Sequence, residues 1–445
     1  MRRLTVALAS LTSMAATVLI GVAALSADAH DTDPTRGTNI LVVGIDSRKG
    51  ISAAEKRRLH VGGKGCNCTD VMMLVHLSAD RRRASVVSIP RDSYVAYAQE
   101  PGAPTRMGKI NGAYALGGGD MTVRTVEKAT GLHIDHYLET GFLGFEKAVD
   151  DLGGAVVCTD KPLKDENSGL DVAAGVHHTD GRGTLQYVRA RHINRPGDLG
   201  RMRRQQRMVS DLLSKLNAEH ALSDPVGTAR TVQTLLNSVR TDPGTSVRDL
   251  LRIGQVLGRL GAGQTEFATV PIKDFDHRVP GVGSTLLWHE SRSVALWQAI
   301  AADRPLAGDT RIQPAPETPV DTDPARITVR VDDPAVAAAL RASGFRVTDT
   351  SAQAPEVRLE GPPVIRYDPA HELDAATLAA AVPGALLEPV PGHDDTFDVA
   401  VGTTPVTVKE VVYDRNVAEG SPITGDRLGC AGTAGLTGAA PASHP

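Results

Sequence analysis

The sequence predicts an α/β protein, in which an α-β-α sandwich with helices on both faces of a mixed sheet precedes a small α/β domain. Apolar runs rich in Val, Ile and Met alternate along the chain with segments of helical apolar spacing. The Val, Ile and Met stretches show no regular alternation with polar residues, which is typical of strands buried on both faces. A proline-rich stretch then separates a shorter region with its own strand and helix patterns.

The length and charge of the chain limit what it can be. A chain of 445 residues is too long for one core, so two folded domains are expected. The formal net charge of −4 argues against a general nucleic-acid binder, because the basic residues are concentrated locally. With 41% apolar but only 3% aromatic residues, the core must consist mainly of Ala, Val and Leu.

The N-terminus, residues 1–29, predicts an export signal. Two arginines precede an uncharged apolar run over 4–25, and the small residues at 27–29 could be a signal peptidase site. The run is also long enough to span a bilayer, so a cleaved signal and a retained anchor both stay open. In either case the rest of the chain lies outside the cytoplasm, membrane-anchored or secreted.

The cysteines favour disulfides. An exported chain with four of them, at 66, 68, 158 and 430, is typical of a disulfide-bonded protein, and three pairings are possible. Zinc is the alternative for Cys66 and Cys68, but the C-x-C spacing is unusual for zinc and no paired His lies nearby.

The elements of the first domain, residues 38–301, follow from these patterns. Strands are expected at "NILVVGI", "VMMLVHL", "ASVVSIP" and "EFATVPI". Helices are expected at "GGDMTVRTVEKATG", "GFLGFEKAVDDLGG", "RMRRQQRMVSDLLSKL", "SVRDLLRIGQVLGRL" and "SRSVALWQAIAADR". Two of these apolar helical patterns, "TVRTVEKATG" and "GFLGFEKAVDDLGG", fit either ordinary core helices or the walls of a tunnel for a lipid tail.

The second domain is expected over 326–415, after a semi-rigid linker at 302–325. Its pattern predicts a strand at "ITVRV", a helix at "DPAVAAALRASG", strands at "FRVTDT" and "PEVRLEG", a helix at "DAATLAAAV" and a strand at "TFDVAVGT". Residues 416–445 are rich in Gly, Ala and Pro and are expected to be a loose tail.

Polar residues stand at the ends of the predicted strands. Asp46 follows the first strand, Asp70 begins the second, and Arg91 follows the third. Ligands of open α/β sheets bind at strand ends, so a site is expected here. Two carboxylates with no His nearby suggest Mg²⁺, with Mn²⁺ as an option, although each acid alone also fits a turn former or strand cap.

Seven arginines lie between Arg189 and Arg207, with Asp198 as the single acid among them. A helix over 199–217 would place four side chains on one face: Arg201, Arg204, Gln205 and Met208. Arg203 and Arg207 would share another face, in solvent.

A short strand at "YVRAR" would place Arg189 and Arg191 on the same side. The bidentate fork of arginine suits phosphate oxygens, so these residues predict a site for a di- or oligophosphate, against the alternative of a solvated basic face. Lys109 lies before the glycines at 117–119, which fit a helix-entry turn better than a phosphate loop because no Gly-Lys-Ser/Thr follows.

Taken together, these segments resemble the LytR-CpsA-Psr family of envelope glycopolymer ligases. The matching pieces occur in the family's order over about 38–220: "NILVVGIDSR", "TDVMMLVHLSADRRRASVVSIPRDSYV", "KINGAYALGGG", "TVEKATGLHIDHYLETGFLGFEKAVDDLGGAVV", "YVRARH" and "DLGRMRRQQRM". The region 326–415 resembles the LytR C-terminal module that often follows.

The resemblance implies an extracytoplasmic phosphotransferase that is associated with the cell wall. It would transfer a glycopolymer from polyprenyl pyrophosphate, as its phosphate, to a hydroxyl of peptidoglycan and release polyprenyl phosphate at the membrane. Asp46 and Asp70 would hold Mg²⁺, and one of them would accept the hydroxyl proton. Seven side chains would bind the pyrophosphate: Arg91, Lys109, Arg189, Arg191, Arg201, Arg204 and Gln205. Arg91 would also be a catalytic residue, together with Asp46 and Asp70.

Two other functions fit the same residues. One is a polyprenyl-pyrophosphate phosphatase, in which water is the acceptor, and the other is a non-catalytic protein that binds lipid or cell wall. The chain also departs from the family pattern. Cys68 stands where the family commonly has Arg, and an insertion at 49–67 separates the two acids and would be a lid held by a disulfide.

Overall fold

The structure is a computed structural model that describes residues 36–428, except 49, 63–64, 100–101, 103, 160–161, 192–197, 219–237, 314–317, 321 and 349–359. The predicted export segment at 1–29 therefore lies outside the described residues, as does most of the strand predicted at "PEVRLEG". No helix within the described part of the chain has the length and apolar character needed to cross a bilayer.

The first region contains both strands and helices. The strands are β1 (Thr38–Ile45), β2 (Thr69–Leu77), β3 (Ala84–Ser88), β4 (Tyr94–Ala96), β5 (Met107–Lys109), β6 (His136–Thr140), β7 (Ala155–Thr159), β8 (Leu163–Asp165), β9 (Leu170–Val172), β10 (Gly175–Thr179), β11 (Arg240–Thr241), β12 (Thr265–Thr269), β13 (Ile272–Val279) and β14 (Gly283–Trp288). The helices are α1 (Ala53–Arg58), α2 (Gly112–Thr130), α3 (Phe142–Asp151), α4 (Gly181–Arg189), α5 (Asp198–Ala218), α6 (Val247–Leu257) and α7 (Glu290–Ala301).

The second region continues the pattern. Its strands are β15 (Pro319–Val320), β16 (Thr328–Val331), β17 (Arg346–Thr348), β18 (Val364–Tyr367), β19 (Leu386–Pro389), β20 (Thr396–Ala400), β21 (Val412–Tyr413) and β22 (Ile423–Thr424). Its helices are α8 (Pro334–Ala342), α9 (Glu372–Ala381), α10 (Arg415–Gly420) and α11 (Gly425–Leu428).

The main sheet is mixed, with the order β11-β6-β1-β2-β3-β12-β22 among the described strands. Its centre is antiparallel, because β2 pairs with both β1 and β3 in that sense, whereas β6 and β12 add in parallel. Side chains alternate across the sheet, so each central strand sends apolar residues to both faces.

Helices cover both of those faces. On one face, Leu41 and Leu74 pack in a core with Val126 of α2 and Leu296 of α7. On the other face, Ile40 lies in a cluster with Leu257 of α6, and a neighbouring cluster brings Met73 together with Val209 of α5. The predicted α-β-α sandwich is therefore confirmed.

The second region has its own sheet and core. The strand order is β17-β16-β20-β18-β19, and α8 and α9 follow β16 and β18 in the chain. The core contains Val329, Leu340, Leu378 and Phe397. A small α/β domain after the first one is thus also confirmed.

The start of the predicted linker belongs to the first domain. Leu306 and Ile312 are 0% and 1% exposed within the core beside α7. The amides of Leu306 and Ala307 donate to the buried carboxylate of Glu266, at 3.1 Å each. Proline content indicated an extended spacer, but these apolar side chains and backbone bonds fix the segment against the sheet.

The beginning of the predicted loose tail is also ordered. β22 pairs with β12 at the edge of the main sheet, and the side chain of Asn416 bonds both the amide and the carbonyl of Ile272. Arg292 of α7 forms an ion pair with Asp414 at 2.7 Å. Residues 414–428 therefore return to the first domain, a contact that low-complexity composition does not reveal.

This return depends on close packing at Gly425. A Cβ built there would lie 2.4 Å from the Oγ1 of Thr265 and 2.9 Å from the Oγ of Ser210 on α5. We expect Gly425→Ala to lower the free energy of unfolding by about 1–3 kcal/mol because the added methyl overpacks this contact. Gly263→Ala is the matched control, since its nearest neighbours lie 3.9 Å away. Denaturant unfolding of both variants tests this, and equal stabilities would contradict it.

Candidate active site

Two carboxylates meet where β1 ends and β2 begins. The antiparallel register pairs Ile45 with Thr69, and the amide of Asp46 donates to the carbonyl of Cys68 at 2.9 Å. Asp46 and Asp70 therefore line the same cavity. The sequence placed both acids at strand ends, and the register explains why those ends coincide.

Arg91 joins the acids through the register of the next strand pair. Met73 pairs with Ser88, and the amide of Ile89 donates to the carbonyl of Met72, so the chain continues antiparallel to β2. This brings Arg91 opposite Asp70, where its Nη1 forms an ion pair with Oδ1 of that carboxylate.

Helices α4 and α5 bring further cationic and polar groups. Arg189, Arg191, Arg201 and Gln205 all line the cavity. The Nη2 of Arg191 lies 3.9 Å from the Oδ1 of Asp70. Arg201 and Gln205 are only 5% and 4% exposed, so α5 presents them inward rather than to solvent.

The prediction of a strand at "YVRAR" is wrong, because this segment forms the end of helix α4. The Oδ1 of Asp180 caps the helix by accepting from the amide of Gly183 at 2.7 Å. Leu185 and Val188, three residues apart, are buried on one face, which is helical rather than strand spacing. Arg189 is the last helical residue and Arg191 follows the extended Ala190, so both still reach the cavity.

Burial alters the electrostatics of Arg189. Loss of solvation lowers the pKa of this guanidinium, while the charges of Asp70 and Asp46 oppose that shift. Its Nη1 donates to the carbonyl of Leu59 at 2.8 Å, and its guanidinium lies over the ring of Phe142, 4.9 Å from the centroid.

Lys109 and Arg204 do not reach the cavity. The Nζ of Lys109 lies 2.9 Å from the Oδ1 of Asp92, outside the cavity lining. Arg204 donates to the carbonyls of Tyr187 and Ala190, and burial lowers its pKa. Arg204 thus fastens the end of α4 to α5, although helical spacing placed it on the face of Arg201.

Arg203 and Arg207 are half-buried and bonded to backbone carbonyls, whereas the sequence predicted that they lie in solvent. Arg207 donates to the carbonyl of Leu428 at 3.0 Å, and Arg203 to the carbonyl of Ser421 at 3.5 Å. This face of α5 holds the returning C-terminal segment, which a strictly local reading could not anticipate.

The structure adds site residues that the sequence did not single out. Arg48 holds the carboxylate of Asp46 through two bonds, Nε to Oδ1 at 2.9 Å and Nη2 to Oδ2 at 3.0 Å. These bonds raise the pKa of Arg48. Arg48 could have been predicted from the sequence, because it lies two residues after Asp46 in the turn that follows the strand.

The turn between β8 and β9 supplies the other missed residues. Asp165, Asn167 and Ser168 line the cavity, and the Oδ2 of Asp165 accepts from the amide of Arg191 at 2.6 Å. Asp165 thereby fixes the backbone that carries Arg191. No local pattern marks this role, since it depends on a contact across 26 residues.

The insertion after Asp46 packs against the site. Leu59 and Val61 are buried in a cluster with Phe142 and Met208. Arg58 pairs with Glu146 of α3, with Nη2 2.6 Å from Oε2. The disulfide joins Cys66 to Cys68, so it closes a local turn and does not tie the insertion to the rest of the fold. Cys158 is also disulfide-bonded.

The cavity changes from charged to apolar along its length. It has a volume of about 670 Å³ and continues from the acids between the sheet and helices α3 and α5. Along α5 the lining runs from Arg201 and Gln205 to three apolar side chains on the same stripe: Met208, Val209 and Leu212. Helix α3 walls this interior, as the tunnel reading allowed, whereas α2 packs in the core on the opposite face of the sheet.

The two acids fit a shared Mg²⁺ site. Mg²⁺ in phosphoryl-transfer sites takes one or two protein carboxylates and completes its shell with phosphate oxygens and water. Asp46 and Asp70 would provide such a pair, because both line the charged end of the cavity. The donor set therefore suits an ion held jointly with an anionic ligand.

Comparisons with known proteins agree on one family. Residues 13–299 match the model of the LytR_cpsA_psr family, and residues 334–404 match that of the LytR cell envelope-related transcriptional attenuator. The chain is 38% identical to "Probable cell wall biosynthesis protein LcpB" of Corynebacterium glutamicum, over 60% of this chain and 61% of that protein. It is 30% identical to "Regulatory protein MsrR" of Staphylococcus aureus, over 53% of this chain and 65% of that one.

The chain thus covers less than two thirds of either relative. Among solved structures, protein gbs0355 from Streptococcus agalactiae matches with a TM-score of 0.50 and 21% identity. That match covers 62% of this chain and 90% of the other, and it shows the fold alone.

Proposed function

Because the chain belongs to the LytR-CpsA-Psr family, we propose that it is a cell-envelope phosphotransferase. In this proposal the enzyme works outside the cytoplasm and takes a glycopolymer carried on polyprenyl pyrophosphate. It ligates the glycopolymer, through its phosphate, to a hydroxyl of peptidoglycan. Polyprenyl phosphate is the product that leaves.

One observation carries the proposal: a single cavity joins a mouth of arginines and carboxylates to an apolar interior. Such a cavity suits a ligand with a strongly anionic head and a hydrocarbon tail. A soluble nucleotide or sugar phosphate would leave the apolar part without a partner, and a plain lipid would leave the arginines without one.

The charged mouth would bind the pyrophosphate. Four groups line it beside the acids and donate forked or paired hydrogen bonds that match phosphate oxygens: Arg91, Arg189, Arg191 and Arg201. Gln205 adds an amide donor one turn from Arg201. Asp46 and Asp70 would hold Mg²⁺, which when bound neutralises charge on the pyrophosphate.

The reaction we propose is a displacement at phosphorus. The oxygen of the acceptor hydroxyl forms a bond to the phosphorus next to the glycan, and the bond from that phosphorus to the bridging oxygen breaks. The electron pair leaves with polyprenyl phosphate. The hydroxyl proton passes to a carboxylate, for which Asp70 is better placed than Asp46 because its side chain is 26% rather than 10% exposed.

The arginines support this chemistry by position. Phosphoryl transfer depends mainly on alignment and on stabilising negative charge, so groups fixed before the substrate binds are effective. The backbone bonds of Arg189 and the ion pair of Arg91 provide such fixing. Pyrophosphate carries more negative charge than the carboxylate of Asp70, so it would compete with Asp70 for the guanidinium of Arg91.

Filling the apolar interior tests the proposal. Leu212→Trp should weaken binding of a long polyprenyl pyrophosphate by about 10-fold, since displacing two buried methylenes costs roughly 1.6 kcal/mol. Binding of the short dimethylallyl pyrophosphate should hardly change. Leu213→Trp is the matched control, because Leu213 follows on the same helix but does not line the cavity.

Calorimetric titration of both ligands separates the outcomes. Equal weakening of the long and short ligands would mean that the interior does not hold the tail. Unchanged affinity for the long ligand in Leu212→Trp would contradict the proposal in the same way.

A further inference from the structure

An aromatic pair lies beside the charged mouth but outside the cavity lining. Tyr94 of β4 and His277 of β13 have ring centroids 5.7 Å apart, with planes inclined by 52°. Both side chains are half-exposed. Exposed ring faces are scarce in this chain, which is only 3% aromatic, and nothing in the mechanism above uses this pair.

A charged pair flanks the rings. Tyr94 is directly opposite Lys109 in the antiparallel β4–β5 ladder, so the two side chains point to the same face. The Nζ of Lys109 contacts the Oδ1 of Asp92 at 2.9 Å, with side chains 29% and 21% exposed. Burial acts to raise the pKa of Asp92, but the bond from Lys109 and the charge of Arg91 hold that pKa below its ordinary value.

A continuous set of contacts links this surface to the phosphate-binding groups. Arg91, which pairs with Asp70, also has its Nε 3.4 Å from the Oδ2 of Asp92. Arg91 and Tyr94 are three residues apart, so their Cα atoms are separated by about 10 Å at most. The backbone that carries Tyr94 therefore lies close to the arginine that faces Asp70.

The surface is held rigidly. The amide of Leu286 donates to the carbonyl of Asp92 at 2.9 Å, and the Nε1 of Trp288 donates to the Oγ of Ser93 at 2.7 Å. These bonds dock the β13–β14 hairpin, which carries His277, against the segment that carries Asp92 and Tyr94. A preformed surface costs little conformational entropy when it binds a ligand.

The chemistry of this surface suits a saccharide. A pyranose ring has C–H faces that pack on aromatic rings and hydroxyl edges that bond charged donors and acceptors. Tyr94 and His277 offer the rings, while Lys109 and Asp92 offer a donor and an acceptor beside them.

We propose that Tyr94, His277 and the Asp92–Lys109 pair form the acceptor subsite, which binds the peptidoglycan saccharide next to the hydroxyl that receives the phosphate. This inference rests on the proposed phosphotransferase function. It assigns Lys109, which lies outside the cavity lining, a role in glycan binding.

The test compares Tyr94→Ala and His277→Ala with the full-length wild type. We expect the KM for soluble uncrosslinked peptidoglycan oligomers to rise about 10-fold in each variant. The kcat at saturating acceptor and the Kd for the polyprenyl-pyrophosphate glycan should stay at the wild-type values. His133→Ala is the control, since His133 is an exposed histidine whose ring bonds Glu127 and does not adjoin this surface.

Calorimetric binding of the same oligomers to each protein adds a readout that needs no turnover. If no transfer occurs in any protein, the phosphotransferase proposal fails, while weakened oligomer binding in Tyr94→Ala still supports the saccharide subsite. Unchanged KM and oligomer binding in both variants would overturn the inference. A loss of donor affinity instead of acceptor affinity would overturn it too, because it would assign the surface to the donor glycan.

Discussion

Arg201→Ala should lower kcat/KM for glycopolymer transfer by about 10³-fold, within the range for losing a catalytic arginine in phosphoryl transfer. Arg201 is buried at the cavity, so its charge acts in surroundings where water screens it little. Arg201→Lys should recover part of the loss, because lysine restores the charge but not the planar fork.

Arg203→Ala is the matched control for this prediction. Arg203 lies on the same helix, but its guanidinium contacts Gln206 and the carbonyl of Ser421 rather than the cavity. Steady-state transfer rates should leave Arg203→Ala close to the wild type. Equal losses in both variants would mean that the effect comes from the stability of α5 and not from the site.

Asp70→Asn should reduce transfer by about 10²–10³-fold, comparable to removing one electrostatic contributor from an active site, and should abolish the response of the rate to Mg²⁺. The amide keeps the shape of the carboxylate but removes the charge that pairs with Arg91 and that the proposed Mg²⁺ would need. Asp120→Asn, at an exposed position on α2, is the control.

The measurement is the rate as a function of Mg²⁺ concentration, together with Mn²⁺ binding by electron paramagnetic resonance in the presence of pyrophosphate. The wild type and Asp120→Asn should share one dependence. An unaltered dependence in Asp70→Asn would place the metal elsewhere.

The central sheet could be predicted because its strands are unbroken apolar runs. In β1 and β2 the Val, Leu, Ile and Met side chains face a core on both sides, so the signal does not depend on tertiary context. The order of the strands in the sheet was harder to predict from the sequence. The pairing of Ile45 with Thr69, which unites the two acids, is a long-range contact that alternation alone does not define.

The cavity arginines were predicted from their density and from local spacing, and the spacing was only partly right. A dense arginine segment pointed to an anion, and Arg189, Arg191 and Arg201 do line the cavity. The strand expected at "YVRAR" was wrong because five residues are too few to distinguish alternation from a helix end when the cap, Asp180, lies seven residues upstream.

The remaining arginines show the limit of helical spacing. Arg204 shares a face with Arg201 but reaches back to carbonyls at the end of α4. Arg207 looked solvated because its partner, the carbonyl of Leu428, is 221 residues away. Both long side chains find acceptors that no local pattern contains.

One assay tests most directly whether the protein transfers a phosphoryl-linked glycan. The purified protein is incubated with Mg²⁺, peptidoglycan oligomers and a polyprenyl-pyrophosphate glycan labelled at the phosphate next to the sugar. We predict that the label becomes attached to peptidoglycan while unlabelled polyprenyl phosphate is released. Label in free glycan phosphate would instead indicate a phosphatase, and label remaining wholly on the lipid would indicate a binding protein; either result would contradict the claim.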